Sequence, residues 1–164
     1  MLSVFDGLRD VTTLSVFVRL ACALICGGII GIERSYKRRP AGFRTHILIC
    51  IGAAITTLTS QYLYLNMHYF TDMARLGAQV VAGIGFIGAG TIIVTKRQRV
   101  KGLTTAAGLW TSAIIGLTFG GGFYEGGILA TVFIMLAELV FSRIEYRVLE
   151  NVPEINLYME YEGK

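Results

Sequence analysis

Apolar residues gather in five long runs with short polar stretches between them. The runs cover 13–32, 45–65, 76–95, 103–119 and 123–142. Each is close to the ~20 mostly apolar residues that a transmembrane helix needs. The run 78–94 shows no alternation of apolar and polar positions, which disfavours a transmembrane β-barrel. Lipid offers no water to unpaired backbone groups, so helices joined by brief turns are the natural solution. The pattern predicts an all-α membrane protein: five transmembrane helices over residues 1–142 and a cytoplasmic tail over 143–164. In that tail Ile155, Leu157, Met159 and Tyr161 alternate with polar positions after Pro153, a strand-like period of two. A single strand cannot fold alone, so the tail reads as the start of a further soluble domain or as an edge strand completed by another subunit.

The first run is not a cleaved leader by pattern. Asp6, Arg9 and Asp10 precede it, and it ends in Gly31-Ile-Glu-Arg34 rather than in a small-residue cleavage site. Composition agrees with membrane residence. Hydrophobic residues make up 54% of the 164 positions and charged residues 16%, against about 25% in an average soluble domain. The net charge of +4 matters through its placement. Nine of the fifteen basic residues are Arg34, Lys37, Arg38, Arg39 and Arg44 in one connection and Lys96, Arg97, Arg99 and Lys101 in another. These alternate connections share one side of a five-helix bundle. The positive-inside rule makes that side cytoplasmic, with the amino terminus outside and the carboxyl terminus inside. The rival reading, an anion or nucleic-acid patch, is set aside on this asymmetry, and no nucleic-acid partner is expected.

Candidate chemistry changes the picture less than the charges do. Gly83-Ile-Gly-Phe-Ile-Gly88 fits a dinucleotide fingerprint in spacing, but it lies inside an apolar run with no strand before it. Gly83, Gly85, Gly88 and Gly90, like Gly27 and Gly31, are expected to serve close helix packing. The glycine-rich run could also unwind beside a cavity. Cys22, Cys26 and Cys50 have no ligand-spaced histidine, so no metal site is expected. No catalytic constellation or phosphate-binding loop stands out, and neither an enzyme nor a cofactor is expected.

Charges within the runs are costly, about 2.5 kcal/mol or more each at mid-membrane. Arg19 and Glu125 match in depth at the outer end and are expected to pair. Glu138 sits near the level of Arg34 and Arg44 at the inner end. Gly42-Phe-Arg-Thr45 and Gly102-Leu-Thr-Thr105 open the second and fourth runs, each after a basic loop. Glu33, Arg34, Arg44, Thr45, Thr104, Thr105 and Glu138 are therefore expected to converge at a cytoplasmic mouth, with Arg44 as the principal residue. Structural ion pairing and a ligand or ion path both fit these charges.

Four blocks, Gly31-Ile-Glu-Arg34, Ala41-Gly-Phe-Arg-Thr45, Gly83-Ile-Gly-Phe-Ile-Gly-Ala-Gly90 and Val100-Lys-Gly-Leu-Thr-Thr-Ala-Ala-Gly-Leu-Trp110, resemble the MgtC/SapB family of bacterial inner-membrane proteins. The resemblance spans residues 15–120. It implies a five-helix membrane domain, followed in longer members by a cytoplasmic ACT-like domain. It also implies a link to adaptation to low magnesium and, in one branch, to virulence. There the action is proposed to fall on another membrane complex, the ATP synthase, rather than on magnesium carriage. That branch typically has Asn where this chain has Thr104. Two functions follow as expectations: an inner-membrane regulator engaging a partner complex, or an ion transporter using the intramembrane polar residues. A homodimer or higher oligomer within the bilayer is expected with either.

Overall fold

A computed structural model describes residues 2–69, 72–94 and 100–149. A short 3₁₀ segment, Ser3–Leu8, precedes α1 (Thr13–Tyr36). Then come α2 (Phe43–Leu65), α3 (Arg75–Gly90), a hairpin of β1 (Ile93–Val94) and β2 (Val100–Lys101), and α4 (Leu103–Gly120). Helix α5 (Tyr124–Leu136) runs through a π-helical turn, Ala137–Phe141, into α6 (Ser142–Leu149). The strand-like tail over 150–164 lies outside the described residues.

Four helical stretches are long and apolar enough to cross a membrane: Thr13–Tyr36, Phe43–Leu65, Leu103–Gly120 and Tyr124–Ile144. The third apolar run gives a shorter helix. α3 has 16 residues, about 24 Å at ~1.5 Å per residue, below the ~30 Å hydrocarbon core. The sequence explains the early stop. Thr91, Ile92, Ile93 and Val94 are β-branched and suit a strand better than a helix, and Ile93 and Val94 pair with Lys101 and Val100. Gly102 then turns the chain into α4 at φ +96°, where a side chain would strike the Thr91 carbonyl.

The helices are apolar on the outside as well as within. Phe17, Leu48, Phe86, Phe133 and Phe141 are exposed, while Ser15, Arg19, Glu33, Arg34, His46, Thr105 and Ser112 are buried. A soluble domain distributes these types the other way. The bundle is a membrane protein whose polar groups face inward.

Two close helix crossings organise it. At Gly27 and Gly31 of α1, an added Cβ would stand 2.9 Å from Cys50 Cβ and 2.7 Å from Phe43 Cα. At Gly116 and Gly120 of α4 it would collide with the Cys50 and Ala54 carbonyl oxygens. Helix α2 is thus clamped between α1 and α4, with Ala23, Ile30, Cys50, Ala54, Ile115, Phe119 and Tyr124 filling the centre. The glycines of α3 behave differently from expectation. Gly88 meets Ala106 at 3.4 Å, but Gly83, Gly85 and Gly90 have nothing within 4 Å of a would-be Cβ. α3 packs on α4 through Ile84 and Gly88, which leaves Gly85 and Gly90 exposed and Gly83 at the edge of an open groove beside Ile49, Ala53 and Ala113. Gly116→Ala is expected to lower stability by about 1–3 kcal/mol, and Gly83→Ala to be neutral or mildly stabilising by helix propensity. Detergent melting curves of the two variants check this.

Candidate functional site

The inward faces of the long helices carry two polar clusters, one at each end of the bundle. The basic end holds the α1–α2 connection. Here α1 brings Glu33 and Arg34, its last turn brings Lys37 as the C-cap, α2 brings His46, α4 brings Thr105, and the π-helical turn brings Glu138. Arg34 is 1% exposed. Its Nη1 donates to Glu138 Oε2 at 2.9 Å and its Nη2 to Thr105 Oγ1 at 3.0 Å. The guanidinium therefore ties α1 to α4 and to the end of α5 at once. Lys37 Nζ forms an ion pair with Glu33 Oε1 at 2.6 Å. It also donates to the Glu138 carbonyl at 2.6 Å and to Ser142 Oγ at 3.1 Å. The π-helical register alters the partners of the main chain here, and Lys37 together with the Ser142 hydroxyl satisfies the Glu138 carbonyl.

His46 is fully buried, with Nδ1 2.9 Å from the Gly42 carbonyl. That bond makes Nδ1 the protonated nitrogen and leaves Nε2 as an acceptor, and Nε2 has no partner. Glu33 is buried beside Lys37 yet receives no aligned hydrogen bond, and Arg34 Nε is unbonded. Three buried side chains thus keep unused polar atoms at one end of the bundle, where an unmade bond is expensive.

Of the seven residues expected at this mouth, Glu33, Arg34, Thr105 and Glu138 come together. Arg44 and Thr104 are exposed, and Thr45 is half-buried without a hydrogen bond into the cluster. The reason is helical phase. The inward face of α2 begins at His46 and that of α4 at Thr105, and each preceding residue is rotated by about 100°. Lys37 and His46 are the members that sequence reasoning missed. Lys37 stands four residues after Glu33, a spacing that pairs opposite charges on one helix face, and could have been found.

The opposite end also departs from expectation. Arg19 and Glu125 do not pair. Glu125 Oε1 receives Arg9 Nη2 at 2.6 Å and the Leu2 N–H at 2.7 Å. Arg19, fully buried, donates from Nη1 to Gln61 Oε1 at 2.7 Å and to the Gly120 carbonyl at 2.9 Å. Its Nη2 donates to the carbonyls of Leu8 and Arg9. The N-terminal segment folds back over the bundle and supplies partners to both charges. Among the described residues, no group of three or more His, Cys, Asp or Glu side chains could hold a metal ion.

A model of the MgtC family matches residues 20–147. The chain belongs to that family. The match takes in every residue of the basic-end cluster and stops one residue short of Arg19. The putative magnesium transporter YhiD of Escherichia coli K12 is 42% identical over 149 residues, 88% of this chain and 69% of its own length. An uncharacterised protein of Haemophilus influenzae is 40% identical over 129 residues, covering 76% of this chain and 54% of its own. Protein MgtC of Salmonella typhimurium 14028s is 37% identical over 131 residues, covering 80% of this chain and 54% of its own. This MgtC-family chain therefore spans about half the length of two of these relatives. No solved structure matches it.

Proposed function

We propose that this MgtC-family chain is an inner-membrane regulatory protein that adapts the cell to low magnesium by acting on another membrane complex, with the basic-end cluster as its working site. The supporting observation is the form of the bundle. Buried charge is concentrated at the two ends, and the space between is filled by Ala23, Cys50, Ala54 and Ile115, with the buried Ser112 and Thr131 hydroxyls each bonded back to a carbonyl of its own helix. An ion path would need polar groups through that middle. A receptor or adaptor needs only a pre-organised site at one face, which Arg34, Glu138, Thr105, Glu33, Lys37 and His46 provide.

The positive-inside rule supports placing the basic end in the cytoplasm and the amino terminus outside. In this reading α3 completes a five-helix membrane domain, accommodated as a short span. The open glycine face of α3 suits a second copy, so the working unit is a homodimer or higher oligomer. A cysteine at Arg38 should then react only with reagents that reach the cytoplasm.

The function is tested with the full chain in two assays. In liposomes it should give no magnesium flux above protein-free vesicles. In cells lacking the endogenous gene it should restore growth at low magnesium, and Arg34→Ala should not. Magnesium flux abolished by Glu138→Gln would overturn the regulatory reading and make the chain a transporter, as the name of the Escherichia coli relative suggests for that protein.

A further inference from the structure

The connection between α1 and α2 divides the cations of the basic end into two sets. Arg34 and Lys37 face inward and are matched by Glu138 and Glu33. Arg38, Arg39 and Arg44 face outward. All three are exposed, and among the described residues none has a side-chain hydrogen bond or an ion pair. Glu33 and Glu138 are already taken by the inward set, so the outward guanidiniums stand without a counter-charge among the described residues.

The loop that carries them is fastened at both ends. The Arg38 N–H donates to the Ser35 carbonyl and the Arg39 N–H to the Arg34 carbonyl, each at 3.0 Å. This paired closure commonly ends a helix on glycine. Here the glycine position is Arg38, at φ +52°. An L side chain is disfavoured in that region, so arginine weakens the turn relative to glycine. Strain of this kind is kept where a side chain has a task outside the turn, and Arg38 has no polar partner among the described residues. At the other end the Phe43 N–H donates to Ser35 Oγ at 2.8 Å, and Ala41 is buried. The start of α2 is thereby pinned to the last turn of α1. Arg44 follows in the first turn of α2, rotated away from the inner cluster. The three arginines thus project from one short, pinned connection.

That connection joins two membrane-crossing stretches, one ending at Tyr36 and the next starting at Phe43. Tyr36 is 89% exposed at this boundary, where tyrosine anchors at the level of the headgroups. Arg38 and Arg39 lie two and three residues beyond it, within reach of lipid phosphates. A guanidinium takes a phosphate with two parallel N–H groups. The phosphate of a zwitterionic lipid is already paired with its own cation, whereas that of an anionic lipid is not. Each basic residue near the surface strengthens attraction to anionic lipid by about fivefold.

We propose that Arg38, Arg39 and Arg44 form a binding surface for the headgroups of anionic phospholipids in the leaflet at the basic end. The headgroups supply the counter-charge that the outward arginines lack. They also hold the α1–α2 turn, and with it Arg34 and Lys37, at the membrane surface. The surface stands whether the chain regulates or transports.

The test uses the full chain in maltoside detergent. Dispersed phosphatidylglycerol and phosphatidylcholine are titrated separately, and bound lipid is counted by native mass spectrometry. Phosphatidylglycerol should bind at least about tenfold more tightly. Replacing all three residues together, as Arg38→Gln, Arg39→Gln and Arg44→Gln, should bring the two lipids within about twofold of each other. Arg38→Gly separates this role from a structural one. Its melting midpoint in phosphatidylcholine nanodiscs should rise by about 2 °C or more as the strain is relieved, while its preference for phosphatidylglycerol falls about fivefold. Equal affinity of the wild type for the two lipids overturns the proposal and leaves the loop to an acidic protein surface. A preference that survives in the triple variant overturns it too. Displacement of phosphatidylglycerol by an equal concentration of inorganic phosphate would overturn the lipid assignment in favour of a soluble anion. A preference that emerges only when Glu150, Glu154, Glu160 and Glu162 are replaced by Gln would make the chain's own tail the occupant and overturn it as well.

Discussion

Arg34→Ala is expected to destabilise the bundle by about 3–5 kcal/mol, the range for removing one partner of a buried ion pair. The substitution deletes two bonds, to Glu138 at 2.9 Å and to Thr105 at 3.0 Å, that join α1 to α5 and α4. It also strands the Glu138 carboxylate, whose side chain is only 14% exposed. At that exposure water solvates the carboxylate poorly, so most of the cost is that of an unpaired charge rather than of the lost attraction. Replacing both partners together, as Arg34→Met with Glu138→Leu, should recover most of the loss because no charge is left stranded. Unfolding by SDS titration in mixed micelles measures both. The pair also separates structure from function. If the cluster were only a brace, the double variant would support growth at low magnesium. A working site predicts restored stability without restored growth.

The same residue shows what could be read before folding. Apolar run length placed α1, α2 and α4 with one end of each exact and the other within one to four residues, because lipid leaves little choice once a run reaches membrane thickness. Depth along the helices correctly brought Arg34 to Glu138. Depth is blind to rotation, however. It made Arg44 the principal residue and gave Thr104 the same standing as Glu138, and a turn of about 100° per residue sends both outward. It also suggested Arg19 with Glu125, because nothing in the apolar pattern shows that a segment before the first run folds back and brings Arg9 to Glu125. Glycine density likewise did not show which helix faces close within one chain. The densest stretch, on α3, leaves Gly83, Gly85 and Gly90 open, whereas the tightest contacts fall on Gly116 and Gly120 of α4. Counting small residues along one helix cannot show which face another helix approaches.

Arg19→Ala is expected to be about as costly as Arg34→Ala, by a different route. No carboxylate is stranded. Instead four acceptors lose a charged donor: Gln61 Oε1 and the carbonyls of Gly120, Leu8 and Arg9. Each buried acceptor left unmatched costs about 1–3 kcal/mol, and the N-terminal segment can relax to recover part of this for Leu8 and Arg9. A net loss of roughly 3 kcal/mol is therefore expected. Its signature is local. Hydrogen exchange of residues 2–10 should rise by at least about tenfold, since two of the segment's anchors are gone, while α1 and α2 near Gly27 and Cys50 stay protected. Gln61→Ala removes only one of the four acceptors and should leave the segment in place. A snorkelling arginine would behave otherwise: lysine would replace it at almost no cost, because only a charge near the interface is required. Here a lysine offers three donors from one point and cannot reach Gln61 and Gly120 on one side and Leu8 and Arg9 on the other. Arg19→Lys should thus keep the bundle folded but raise exchange of the segment. Wild-type protection in Arg19→Lys would show that charge alone, not the guanidinium fork, holds this end closed.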